Sequence, residues 1–155
     1  FPTRRSSDLI AFLVAGHPGM TPRPIGKVAS GGELSRISLA ISVTTSQLGT
    51  APTLVFDEVD SGVGGAVAET VGRLMRQLGR DRQVLAVTHL PQVAAYADHH
   101  LMVSKRRNAA GTTSTVTPVL GDLRVTEVAR MLGGERPTGT SLAHAIEMLS
   151  LANTP

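Results

Sequence analysis

The sequence predicts an α/β domain, a largely parallel sheet flanked by helices, from three observations. Strand-length apolar runs alternate with stretches of helical periodicity. Those runs are apolar almost throughout rather than alternately, as in parallel strands covered on both faces. Polar clusters stand where the runs end, as they do in open sheets that bind ligands at the carboxyl ends of their strands. The 155 residues are 41% hydrophobic and 17% charged. That is the balance of one folded domain, and it excludes a disordered tail or a collagen-like repeat.

Phe1 to Asp8 shows no periodicity and is set aside as a non-native leader, with the domain proper at 9–155. Leu9 to Ala15 is the first expected strand, ended by the turn Gly16-His17-Pro18-Gly19. A connector containing Pro22 and Pro24 leads to Ser30-Gly31-Gly32. Leu34, Ile37, Ile41 and Leu48 then recur near helical spacing, with Ala40 and Thr44 beside them. Thr53 to Phe56 is a β-rich run closed by Asp57 and Glu58, and Val84 to Thr88 is a second one closed by His89. Between them the pattern predicts a helix over Ala66 to Leu78. Leu101 to Ser104 and Ser114 to Leu120 form a later strand pair around a polar, glycine-containing loop. Val125 to Leu132 and Ser141 to Leu151 close the chain as helices. There is no internal repeat.

Several classes of function are excluded at once. With no cysteine, there is no disulfide framework, thiolate nucleophile or Cys-ligated zinc. The longest apolar run, Leu9 to Ala15, falls far short of the roughly 20 residues of a membrane span, so no membrane role is expected. A net charge of +3, with Lys27 and Lys105 the only lysines, is too small to argue nucleic-acid binding by itself.

The polar clusters can carry chemistry. Ser30-Gly31-Gly32-Glu33 opens a helix, where free backbone N–H groups and the positive dipole end favour a phosphate and glycine lets it approach closely. Asp57, ending an apolar strand, can hold a hydrated magnesium ion, and Glu58 beside it can accept a proton from an attacking water. His89, ending the next strand, converges on the same edge. Together these clusters describe a phosphate site.

In this order and spacing, the residues resemble the ABC-type ATPases. Ser30-Gly31-Gly32-Glu33 is similar to their signature motif, Leu54 to Glu58 to the Walker B strand and catalytic glutamate, Asp60-Ser61-Gly62 to the D-loop, and His89 to the switch histidine. Lys27 to Arg36, Thr88 to Asp98, Glu127 to Gly134 and Ser141 to Ala145 resemble a bacterial DNA-repair branch related to the SMC proteins more than transporter subunits. The resemblance covers about residues 9 to 151. It implies the carboxyl-terminal lobe of a P-loop NTPase head, incomplete without its amino-terminal half, using ATP and Mg2+. In it, Asp57 would hold the metal through water, and Glu58 and His89 would be catalytic. Ser30, Gly31, Gly32, Glu33 and Asp60 would bind nucleotide. The implied partners are the missing amino-terminal half, a second head in an ATP-bridged homodimer and, through the full protein, DNA undergoing double-strand break repair and recombination. The implied location is cytoplasmic and nucleoid-associated. A P-loop needs Gly, four residues, then Gly-Lys and Ser or Thr. Here Gly26-Lys27 is followed by Val28, and Thr21 stands where the first glycine belongs. The chain alone is therefore expected to hydrolyse no ATP.

Two other classes compete. Ser30, Asp57 and His89 follow the chain order of an α/β serine hydrolase, but Val28 stands where the nucleophile elbow needs glycine, and a Pro-containing connector replaces the preceding strand. A non-catalytic nucleic-acid-binding module rests only on Lys105-Arg106-Arg107, which reads more simply as a solvated hairpin tip, with little aromatic material for stacking bases. His99-His100 is expected to be a surface pair, since neighbouring side chains on a strand diverge. His144 and Glu147 form the polar face of a closing helix, and Met131 and Met148 belong to the core.

Overall fold

The structure is a computed structural model and describes residues 11, 13–15, 19–24, 40–41, 43–46, 49–57, 60, 62–108 and 111–153. Its strands are β1 (Leu13–Val14), β2 (Arg23–Pro24), β3 (Thr53–Asp57), β4 (Gln83–Val87), β5 (His100–Asn108) and β6 (Gly111–Val119). Helix α1 is described at residues 40–41 and 43–46. It is followed by α2 (Gly65–Leu78), α3 (Pro91–Ala95), α4 (Gly121–Gly133) and α5 (Gly139–Ala152). The expected leader and the predicted helix start at Ser30 lie outside the described residues. Of the first expected strand, Leu13–Val14 is seen, paired antiparallel with β2.

The centre is a βαβ unit. β3 and β4 pair in parallel over five positions, from Thr53↔Gln83 to Asp57↔Val87, with α2 as the crossover. Along α2, Ala68, Val71, Gly72, Met75 and Leu78 are buried, the i, i+3, i+4, i+7 stripe of a helix with one wet face. Of these, Ala68, Val71, Met75 and Leu78 join Val43 of α1, Phe56 of β3, Val63 and Val93 of α3 in the first core, against which Leu54 and Val84 also pack. Among the described residues, helices pack on one face of the ladder. Val55, Leu85 and Val87, on the other, are 67%, 47% and 60% exposed, although the continuous apolar runs predicted cover on both sides.

The second core lies among α3, α4 and α5, built from Ala95, Val128, Ala129, Ala145, Leu149 and Ala152. Helix α5 is started by a capping box in which the Ser141 amide donates to the Thr138 hydroxyl at 3.2 Å and the Thr138 amide to the Ser141 hydroxyl at 2.8 Å. The expected later strand pair is an antiparallel hairpin of two nine-residue strands, longer than its apolar residues indicate.

Helix α3, which the sequence did not reveal, belongs to both cores: Val93 to the first, Ala95 to the second. Pro91 opens it at a position where a missing N–H costs nothing. Its carboxyl end is held by Arg124 of α4, whose Nη2 donates to the carbonyls of Ala94 at 3.3 Å, Ala95 at 3.0 Å and Ala97 at 2.6 Å. Cationic donors at a helix carboxyl terminus satisfy carbonyls that the helix cannot. Burial pulls the Arg124 guanidinium below its ordinary range, while nearby Asp98 pushes it back up. Arg76 of α2 ties the same region together, pairing with Asp98 at 3.7 Å and donating to the Ala152 carbonyl at the end of α5.

Helices α2 and α3 touch through Gly72. A Cβ there would stand 2.8 Å from the Tyr96 ring and 3.1 Å from the Gln92 carbonyl oxygen. Gly72→Ala, ordinarily favoured within a helix, is therefore expected to destabilise the fold by about 1–3 kcal/mol through overpacking. Urea denaturation followed by circular dichroism measures it, and an unchanged or raised midpoint contradicts the close approach.

Candidate functional site

Parallel pairing fixes the position of the candidate site. Because Asp57 is in register with Val87, the end of β3 and the residues just past β4, Thr88 and His89, lie at one edge of the ladder. Two of the sequence-predicted residues, Asp57 and His89, are thus brought together. Ser30, Gly31, Gly32, Glu33 and Glu58 lie outside the described residues.

Beyond β3 the chain turns back toward α2. The Val63 amide donates to the Asp60 carbonyl at 3.1 Å, and Gly62 at the third position of this turn has φ 74°, a conformation that glycine adopts without strain. The turn drives Asp60 inward until it is 1% exposed. Its carboxylate accepts a hydrogen bond from the Thr88 hydroxyl, and the Thr88 oxygen accepts one from the Leu90 amide at 3.0 Å. Leu90 is the N-cap of α3. A single relay therefore runs from the turn after β3, through the residue after β4, to the start of α3.

The other Asp60 oxygen, Oδ1, is buried without a hydrogen-bond partner among the described residues and lies 3.8 Å from His89 Nδ1. The His89 side chain is 74% exposed. The edge thus combines a fixed, buried carboxylate with an imidazole accessible to solvent. The sequence marked Asp60 and His89 but assigned no part to the Thr88 hydroxyl, which joins the turn to the strand end.

Asp57 is exposed and makes no ion pair with a described residue, so its oxygens are available. No group of three or more His, Cys, Asp or Glu among the described residues could hold a metal ion. That donor set does not fit an all-protein cage, but it fits magnesium, which usually binds through one or two carboxylates, waters and substrate phosphates.

The remaining polar candidates lie elsewhere. His144 and Glu147 line a groove of about 190 Å³ with Glu69, Gln92, Tyr96, Met148 and Leu151, none of them in the edge cluster. Tyr96 donates to Glu69 at 3.2 Å. Burial, then that hydrogen bond, raises its pKa. His99 is exposed as expected, whereas His100 is half-buried, and burial with Arg124 nearby lowers its pKa. Met148 packs against the second core. Among the described residues no helix is long and apolar enough to cross a membrane.

No family model matches the chain. It is 50% identical over 145 residues to the DNA repair protein RecN of Vibrio cholerae, covering 94% of this chain and 26% of that protein. To the RecN of Streptomyces coelicolor it is 49% identical over 146 residues, with the same coverage. To that of Treponema pallidum it is 44% identical over 142 residues. The chain thus spans about a quarter of the length of these relatives. Among solved structures it resembles one from work on ATP-driven dimerization and DNA-stimulated activation of SMC ATPases. The TM-score is 0.63 at 21% identity, over 81% of this chain and 83% of that one. It also resembles the Smc head domain with a coiled coil and joint derived from Pyrococcus yayanosii, with a TM-score of 0.57 at 22% identity, over 93% of this chain and 26% of that one. The fold is that of an SMC head, a P-loop NTPase fold.

Thr88→Val is expected to leave the buried Asp60 carboxylate without its donor, at a cost of about 1–3 kcal/mol. It also removes the acceptor of the Leu90 amide, so Leu90 should exchange its hydrogen faster, while Thr88→Ser retains protection. Equal exchange at Leu90 in Thr88→Val and the unaltered chain would count against the relay.

Proposed function

We infer that this chain, a RecN-family sequence throughout the matched stretch, supplies one lobe of an SMC-like ATPase head acting in DNA double-strand break repair and recombination. The observation that carries this reading is the edge itself: the register Asp57↔Val87 sets an exposed carboxylate beside the strand end that bears His89, and Asp60 is hydrogen-bonded to Thr88 of that strand end. Identity near 50% to RecN proteins over 94% of the chain supports the assignment of roles.

On this reading, residues 9–155 are the carboxyl-terminal lobe, completed by an amino-terminal half that contributes the P-loop. Asp57 would hold Mg2+ through water, and the ion would offset the negative charge of the phosphates. Glu58, one residue further, would orient and deprotonate the attacking water. His89 would contact the γ-phosphate from its exposed position, and Asp60, expected among the nucleotide-binding residues, would serve that site from beneath, its buried carboxylate holding the turn against the strand end. The amides of Ser30, Gly31 and Gly32, with Glu33 at the same helix start, would close on the nucleotide of a second head. ATP would then bridge two heads, and hydrolysis would release them. Such catalysis is largely positioning and electrostatics.

Three results test this reading. The 155-residue chain should show no ATP turnover alone and gain it when an amino-terminal half is supplied separately; robust turnover without that half contradicts the division of labour. In the longer protein, Glu58→Gln should still bind ATP and keep heads associated, while phosphate release falls at least about 100-fold. Unchanged release removes Glu58 from the water-activating role. Ser30→Arg should impair ATP-dependent head association, read by analytical ultracentrifugation, more than nucleotide binding to a single head. Equal loss of both would place Ser30 in its own head's site.

A further inference from the structure

We propose that the β5–β6 hairpin is a contact surface for the phosphate backbone of duplex nucleic acid. The choice of DNA as the partner rests on the function proposed above, whereas the surface is argued from the hairpin alone. Residues 99–121 contain Lys105, Arg106 and Arg107 and no aspartate or glutamate. All three cations are exposed, and none forms an ion pair with a described residue. Across the ladder they stand opposite Ser114, Thr113 and Thr112 respectively. Three adjacent positive charges are thus matched by hydroxyl groups rather than carboxylates. Hydroxyls donate to phosphate oxygens as well as cations do, so the two strands offer one chemistry.

Geometry favours a duplex. Strand alternation puts Lys105 and Arg107 on one face and Arg106 on the other, so the cations flank the ribbon. Nine-residue strands extend about 30 Å at roughly 3.4 Å per residue. A two-stranded ribbon fits the DNA major groove, about 12 Å wide, whose rims are lined by phosphates that long Lys and Arg side chains can reach. Residues 99–121 include no Phe, Tyr or Trp, and their only rings, His99 and His100, lie at the hairpin base away from the cations, so the hairpin offers no row of aromatic rings on which single-strand bases would stack. Contacts to phosphate carry no base information, and binding should be independent of sequence. The apolar residues of the exposed face, Leu101, Val103 and Val116, lie toward the hairpin base rather than among the cations. A membrane-binding surface would instead set its apolar residues foremost.

The test is fluorescence anisotropy of a 30-base-pair mixed-sequence DNA duplex with the purified 155-residue chain, titrated at several NaCl concentrations. Circular dichroism verifies that each variant keeps the fold. Lys105→Ser, Arg106→Ser and Arg107→Ser together should lower the magnitude of the slope of log K against log salt by about 2.7, some 0.9 for each phosphate no longer neutralised, and weaken binding at least about tenfold. Arg106→Lys with Arg107→Lys should keep the slope, since only charge is required. Replacing Arg80 and Arg136 by serine should leave it unchanged. An unaltered affinity and slope in the triple variant overturns the hairpin assignment while leaving DNA binding by the chain intact. No binding by the unaltered chain overturns the assignment, and the ATPase reading then stands or falls on Glu58→Gln. A triple variant that loses binding to anionic phospholipid vesicles but keeps duplex binding overturns it in favour of a lipid surface.

Discussion

A carboxylate removed almost wholly from water must be met by donors or it opposes folding, and at Asp60 the donor comes from another strand. The Thr88 hydroxyl lies 28 residues further along the chain, beyond α2 and β4. Parallel pairing of β3 with β4 is what delivers it, because only the register Asp57↔Val87 places the residue after β4 beside the turn after β3. A slip of one position would turn every side chain of the strand to the opposite face and remove the donor. Register and buried charge thus enforce each other, and the edge bearing Asp57 and His89 follows from both.

The relay extends the same constraint into the packing. Thr88 accepts from Leu90, which starts α3, and α3 contributes to both hydrophobic cores. Five residues make barely more than one turn, too few for helical stability of their own. The stability of α3 comes from outside: Pro91 and the Thr88 contact at one end, three carbonyls gathered by Arg124 at the other, and the close approach of α2 at Gly72 between them. The position of His89 is therefore tied to α4, two elements away from it in space and 35 residues away in sequence.

Sequence legibility followed the distance over which each element is determined. β3, α2 and β4 were evident because their apolar residues repeat with the element's own period, and the predicted limits Thr53 to Phe56, Ala66 to Leu78 and Val84 to Thr88 fall within a residue of those found. Helix α3 has no such period at five residues. The outer half of β5 is polar, Ser104 to Asn108, and is held by its ladder to β6 rather than by burial, so hydrophobicity understated its length. At the candidate site, strand-end placement put Asp57, Glu58 and His89 on one edge and motif order put Asp60 in the D-loop; Asp57 and His89 lie at the end of the ladder, and Glu58 is outside the described residues. The Asp60–Thr88 contact was not legible, since nothing local to either residue signals a partner 28 positions distant. At Val55, Leu85 and Val87 a continuous apolar run marked two apolar faces, of which the described helices cover one.

Asp57 and Asp60 show how three residues of chain separate two uses of the same functional group. Asp57 is the last ladder residue and exposed, so its carboxylate keeps most of its hydration and can exchange water for a cation at little cost. Asp60, past the strand end, is turned inward by the Gly62 turn and has exchanged water for the Thr88 hydroxyl. Its second oxygen faces an imidazole that is itself mostly in solvent. Of that pair, the carboxylate cannot move without leaving the Thr88 hydroxyl unpaired, while the imidazole is held by no hydrogen bond to a described residue. A negative ligand arriving at this edge would thus meet two carboxylates, one fixed and buried and one exposed, and would need a cation between itself and them.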